Sequence, residues 1–301
     1  MRRLAAFGVA AGVTRAVYEG LRRSVGGSSR PVADVARLSG ALLSVGGPSA
    51  AGDSLSVGGP SAAGDSLSVG GPSAAGDSLS VGGPSAAGDS LWMRTNHAGR
   101  AVDLYSGPAT ALGAAAGSGS GPVALAVLAA AACGAYDDVK GDHRRGFRAH
   151  LAALRDGEVT SGAVKLLGIG AASLAAGAML KERPVDKVLA GVVIAGSAHL
   201  VNLVDVRPGR ACLAVLALGA PGLVRGSLAA APMGAASAVL GEDLGERTML
   251  GDTGAHALGA AVGGAIAAGN GRLGLLAHAA GLVAAAAWGE WDATSRAHPS
   301  G

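Results

Sequence analysis

Three short stretches place carboxylates where an apolar run begins or ends: Tyr136-Asp137-Asp138, Asn202-Leu203-Val204-Asp205, and Met249-Leu250-Gly251-Asp252-Thr253-Gly254. An acid at such a boundary is costly unless a cation or a partner meets it. For the adjacent pair Asp137 and Asp138, Mg²⁺ is a natural partner, because hard oxygens suit it. A solvated acidic helix end is the plainer alternative. Asn202 and Asp205 are three apart and share one helix face, either as a polar helix end or as part of a site. Asp252 and Thr253 stand between Gly251 and Gly254, just before an apolar helix. Asp252 is therefore either the N-cap of that helix or a metal carboxylate on a tight backbone whose N–H groups face phosphate. Lys165 lies deeper inside an apolar segment than any other Lys or Arg. That position calls for an anionic partner, or for snorkelling to the interface. His199 reads as a core histidine and His256 as packing.

Taken together, these acids beside a rim of arginines fit a polyanionic substrate with Mg²⁺: carboxylates neutralise the metal while Arg and Lys hold phosphates. Arg100, Arg144 and Arg148 are candidate phosphate holders, with a solvated face as the alternative for each. Composition removes other classes. Of 301 residues, 50% are hydrophobic and 15% charged, against about 25% charged in a soluble domain. A net charge of +3 is too small for a dedicated nucleic-acid surface, and 3% aromatic residues make no stacking platform. No nucleic-acid partner is expected. The 52 glycines suit close approach of membrane helices. Cys133 and Cys212 have no metal-ligand spacing and read as small buried hydrophobes.

The elements that must position the acids are predicted to be membrane helices. After Arg2-Arg3, the run Leu4 to Val13 reads as a weak first helix within an N-terminal part, 1–43. Residues 44–91 are four identical copies of SVGGPSAAGDSL. Each copy offers only Val and Leu to a core, so the tract is expected to be a flexible, disordered linker. The core, 92–301, carries apolar segments at about 107–117, 122–136, 161–180, 186–204, 210–224, 228–240, 254–268 and 273–289. GSGSGP at 117–122 interrupts the first two, which are either two helices or one broken helix. The predicted fold is all-α, a polytopic transmembrane bundle of about nine helices (eight to ten). Counting helices places all the acid clusters on one side. Their loops carry Arg94, Arg100, Lys140, Arg144, Arg145, Arg148, Arg155, Arg207, Arg210 and Arg247, which makes that side cytoplasmic by the positive-inside rule. Arg2-Arg3 would then sit outside, against the rule.

The ordered series Asn96-His-Ala-Gly-Arg-Ala-Val, Tyr136-Asp-Asp-Val-Lys-Gly, Thr160-Ser-Gly-Ala-Val-Lys165, Asn202-Leu-Val-Asp205 and Met249-Leu-Gly-Asp-Thr-Gly-Ala-His-Ala-Leu-Gly resembles the polyprenyl-phosphate sugar-1-phosphate transferases. These are the glycosyltransferase family 4 group that includes phospho-N-acetylmuramoyl-pentapeptide transferase, and the Gly/Ala-rich form is similar to actinobacterial members. The likeness covers about residues 94–295. It implies a Mg²⁺-dependent enzyme of the plasma membrane, acting at the cytoplasmic face in cell-wall or surface-polysaccharide synthesis. Such an enzyme moves a sugar-1-phosphate from a UDP-sugar to polyprenyl phosphate and releases UMP. By resemblance, Asp137, Asp138 and Asp205 are catalytic, and Asp252 with Asp138 holds the metal. Asn202, Lys165, Asn96, Arg100, Gly251 and Thr253 bind substrate. Membrane lipid and a second copy of the chain, as a homodimer, are the other implied partners. No His-rich motif stands near the C-terminus, and Glu242 to Arg247 replaces the Asn and Pro-Ala residues of the muramoyl-pentapeptide members, so the sugar stays open. A degenerate, non-catalytic membrane homologue acting in binding or assembly is the alternative. A cation-coupled transporter is a third reading, although transporters set their acids near the midplane.

Overall fold

A computed structural model describes residues 1–26, 91–141 and 147–297. The repeat tract through Ser90, Arg144, Arg145 and the side chain of Arg148 lie outside the described residues. The chain is mostly helical. Helix α1 (Arg2–Gly26) is followed, beyond the repeats, by strands β1 (Met93–Thr95) and β2 (Ala101–Asp103). The two strands pair antiparallel with Arg94 opposite Val102. This hairpin is an addition to the all-helical expectation: three-residue strands are too short to show an alternating pattern in sequence.

Residues 106–140 form two helices rather than one broken helix. Helix α2 (Ser106–Ser118) stops at Gly119, whose φ is 57°. Ser120 is extended, and α3 (Gly121–Lys140) follows with proline in its first turn. Glycine enters the left-handed region without a Cβ penalty, and the missing proline N–H costs nothing in a first turn. A short helix α4 (Phe147–Arg155) precedes α5 (Ser161–Leu180). Thr160 caps α5, its hydroxyl oxygen accepting from the Ala163 amide at 3.1 Å. Then come α6 (Pro184–Val204), α7 (Arg210–Gly219), α8 (Gly222–Arg225), α9 (Ala230–Leu244), α10 (Gly251–Gly269) and α11 (Arg272–Ala297).

Among the described residues, α3, α5, α6 and the Arg272–Gly289 part of α11 are long and apolar enough to cross a bilayer. Helices α2, α7 and α9 have 13, 10 and 15 residues. They fall short of the roughly 20 residues that span a hydrocarbon core. Four apolar helices of spanning length therefore stand, and a bundle of about nine spans is a finer reading.

Helix α10 is the centre of the bundle, packed on α2, α3 and α6, and most of it is buried. Small residues make that position available. A Cβ on Gly259 would stand 2.6 Å from the Ala198 Cα of α6, and one on Gly263 would stand 2.7 Å from the Ile194 Cα. With spacing small-x-x-x-small, backbones approach closely enough for van der Waals contact to hold two helices together without a hydrophobic drive. Helix α1 lies against α2 and α9. Far from the acids, the opposite end has its own polar closure. Lys181 Nζ donates to the Asn270 carbonyl at 2.8 Å, Arg225 donates to the Asn270 side chain, and Arg272 pairs with Asp186 at 2.7 Å.

Candidate functional site

Consecutive residues on a helix point about 100° apart, so Asp137 and Asp138 at the end of α3 meet different partners. Asp138 turns to the start of α10. Its Oδ1 accepts from the Asp252 amide at 3.0 Å, and its Oδ2 accepts from the Thr253 amide at 2.9 Å and the Thr253 hydroxyl at 2.6 Å. One carboxylate of α3 thus caps the N-terminus of α10, where orphan N–H groups and the helix dipole favour negative charge. Gly251 makes room for it: its φ is 61°, and a Cβ there would stand 2.9 Å from Asp138 Oδ2. One turn earlier in α3, a Cβ on Gly134 would fall on the Asp252 carbonyl. The two helices meet backbone to backbone at this level.

Asp137 turns instead to α5. Lys165 Nζ donates to Asp137 Oδ2 at 2.7 Å and to Asp252 Oδ2 at 2.5 Å. The lysine inside an apolar segment therefore has the anionic partner its position calls for, and it has two. Behind Asp252, His256 is buried and its Nδ1 donates to the Asp252 carbonyl at 2.8 Å, a packing role within one helical turn.

Asp205 follows the last turn of α6, its amide donating to the Asn202 carbonyl at 3.2 Å. It lines a small cavity of about 90 Å³ with Asn96, Asp243, Glu246, Thr248 and Leu250. Burial first, then the charges of Asp243, Asp252 and Asp138, push the Asp205 carboxyl up to about 7. Asn202 is half-buried one turn above.

Asn96 and Arg100 lie on the hairpin, not against the acids. The Asn96 side-chain oxygen accepts from the amides of Ala98 and Arg100 at 3.0 and 2.9 Å, building the turn that Gly99 completes at φ 76°. Its amide nitrogen donates to Glu246 at 2.7 Å, and Arg100 pairs with the same carboxylate at 3.0 Å. The hairpin also fixes the segment before α10. Met249 donates its amide to the Asp103 carbonyl at 2.9 Å, and the Thr248 hydroxyl donates to the Asp103 carboxylate at 2.6 Å. Burial raises the Asp103 carboxyl above its ordinary value.

Of the residues singled out in the sequence, Asp137, Asp138, Lys165, Gly251, Asp252 and Thr253 form one contact cluster. Asp205 and Asn96 line the adjoining cavity, whereas Asn202 and Arg100 are not among its lining residues. Sequence reasoning passed over Asp103, Asp243 and Glu246. Asp243 carried a usable signal, since it too is an acid at the end of an apolar helix. It is buried, and its Oδ2 accepts from the Gly209 amide at 2.8 Å, fixing the turn into α7.

Carboxylate oxygens are the hard donors that a divalent cation would take. Asp137 and Asp252 each send one oxygen to a single ammonium, so the pair already converges on one positive charge. Mg²⁺ is commonly held by one or two carboxylates, with water and substrate phosphates completing the shell. Among the described residues no group of three or more His, Cys, Asp or Glu is placed to hold a metal ion by itself. The rest of a Mg²⁺ shell would come from water or phosphate. Compared with known protein families, curated proteins and solved structures, the chain matches none.

Proposed function

We propose that the chain is a membrane-embedded transferase that moves a sugar-1-phosphate from a UDP-sugar to polyprenyl phosphate, with release of UMP. The observation that carries this reading is the meeting of Asp137, Asp138, Lys165 and Asp252 from α3, α5 and α10, with Asp205, just past α6, lining the adjoining cavity. Four segments distant in sequence bring acids and one lysine to a single end of an apolar bundle. That end is where a lipid phosphate and a soluble nucleotide sugar can both arrive.

In the reaction, an oxygen of the lipid phosphate attacks the phosphorus that bears the sugar. The bond from that phosphorus to the bridging oxygen breaks, and UMP leaves with the electron pair. A phosphate monoester has a second pKa of about 6, so the nucleophile is already ionised at neutral pH and positioning is the larger need. Mg²⁺, held by Asp137 and Asp252, would neutralise charge on the pyrophosphate and the leaving UMP. Lys165 offers an ammonium to the same oxygens. Asp138, expected to be catalytic and to hold the metal with Asp252, instead has both oxygens on the Asp252 and Thr253 amides; it sets where Asp252 stands and thus acts as a positioning residue. Asp205 and Asn96 would face the nucleotide sugar from the adjoining cavity, with Asn202 a turn above Asp205 and Arg100 paired to the cavity residue Glu246.

The same reading includes about nine membrane passes, a plasma-membrane location, a cytoplasmic site and association as a homodimer. It is tested with membranes containing the chain, Mg²⁺, polyprenyl phosphate and radiolabelled UDP-sugars. Label is expected in the lipid fraction and is lost in Asp252→Asn. Failure to release UMP from any UDP-sugar overturns the reading in favour of a non-catalytic membrane protein.

A further inference from the structure

The Lys165 ammonium occupies the place between Asp137 and Asp252 that a bridging cation would take. Both Oδ2 atoms are spent on it, at 2.7 and 2.5 Å. A metal ion bonded to those two oxygens would stand close to the ammonium, and the two cations would repel. The three groups carry two formal negative charges and one positive, so the lysine leaves the pair under-neutralised. An ion of twice the charge at the same point is attracted about twice as strongly. The three side chains are 20, 21 and 25% exposed, so ions in solution reach them. Lys165 sits in the second turn of α5 on a flexible stem near the aqueous end. The backbone contact at Gly134 holds the two acids in place.

We propose that Lys165 is a displaceable cation. It holds Asp137 and Asp252 together before metal binds, yields them to a divalent cation, and then carries its charge to the phosphate oxygens of the substrate. This rests on the transferase reading and adds an exchange step to it. The exchange explains how two acids at a membrane boundary persist without metal, since an unpaired pair there would be expelled or protonated. It also couples metal arrival to the release of a phosphate ligand.

The test uses the full-length chain in nanodiscs. Lysine reactivity is measured by reductive methylation with isotopic formaldehyde and mass spectrometry, with and without millimolar MgCl₂. The exposed Lys140 serves as reference. Without divalent ion, Lys165 is expected to react about tenfold more slowly than Lys140, as a lysine held in two ion pairs should. MgCl₂ is expected to raise the Lys165 rate several-fold and leave Lys140 unchanged. NaCl of equal ionic strength should not reproduce the rise, and Asp252→Asn should abolish it. A Lys165 rate indifferent to MgCl₂ overturns the proposal. Independently, Lys165→Met is expected to bind Mn²⁺ about tenfold tighter than the parent chain by electron paramagnetic resonance, since one competing charge is gone; equal affinity overturns it. Should that variant fail to fold, the labelling of the parent chain still decides. Unchanged Lys165 reactivity in a preparation that makes lipid-linked product sinks the exchange alone. A Mg²⁺-dependent rise in one that never releases UMP sinks the transferase alone.

Discussion

At the residue scale, the adjacent acids Asp137 and Asp138 do separable work, and their variants should separate. Asp138→Ala removes the cap of α10 and is expected to cost about 1–2 kcal/mol of stability, read as a lowered midpoint of thermal unfolding in detergent. Asp137→Asn leaves that cap intact, so its effect should fall on metal binding and turnover rather than on the midpoint. Equal midpoints for the two variants would contradict the division. Asp205 makes a pH prediction. Its carboxyl moves from an ordinary 3.8 when unfolded to about 7 when folded, so the folded state binds that proton more tightly. The stability this confers is complete below about pH 4 and is lost as pH rises through about 7. Asp205→Asn should flatten the fall in unfolding temperature across that window; an unaltered slope would refute the assignment. In sequence, Asp252 reads either as cap or as metal carboxylate. The choice was not legible there, because the capping oxygens come from Asp138, 114 positions away, and no local pattern announces a cap supplied by another helix. Lys165 was legible in part: a charge that deep in an apolar run either finds an anionic partner or snorkels to the interface, and here it is paired.

At the element scale, most apolar segments map onto helices with shifts of up to four residues, but 210–224 divides into α7 and α8, α11 runs on to Ala297 rather than 289, and α1 reaches Gly26 rather than Val13. Gly119, Pro184 and the Asn270-Gly271-Arg272 break punctuate as turn chemistry requires. Helix α4 and the hairpin were not legible: α4 is too short to stand out among polar loop residues, and the hairpin is fixed by distant partners such as Thr248. The junction of α3 and α10 gives the sharpest test at this scale. Gly134→Ala inserts a methyl into backbone–backbone contact and should cost about 1–3 kcal/mol, with loss of transferase activity as Asp252 is pushed aside. Gly170→Ala on α5 meets nothing within 4 Å. It should leave activity unchanged and raise helix stability by up to about 1 kcal/mol. If both variants behave alike in thermal unfolding, the close approach at Gly134 is not what sets the site.

At the scale of the whole molecule, the two polar ends are chemically unlike. One gathers Asp137, Asp138, Lys165 and Asp252; the other ties Lys181, Arg225, Asn270, Asp186 and Arg272. The transferase reading sets the first end in the cytoplasm. In intact cells, with Cys133 and Cys212 replaced, a cysteine at Arg207 should resist an impermeant maleimide and one at Glu182 should react; the reverse pattern would invert the topology. The flank built from α1, α2 and α9 carries a further consequence. Helices of 13 and 15 residues measure only about 20 and 22 Å, against a hydrocarbon slab of about 30 Å. Helix α1 packs on both and, at 25 residues, is about 38 Å long. With the bundle in lipid, α1 rather than α2 or α9 would set the thickness matched along that flank.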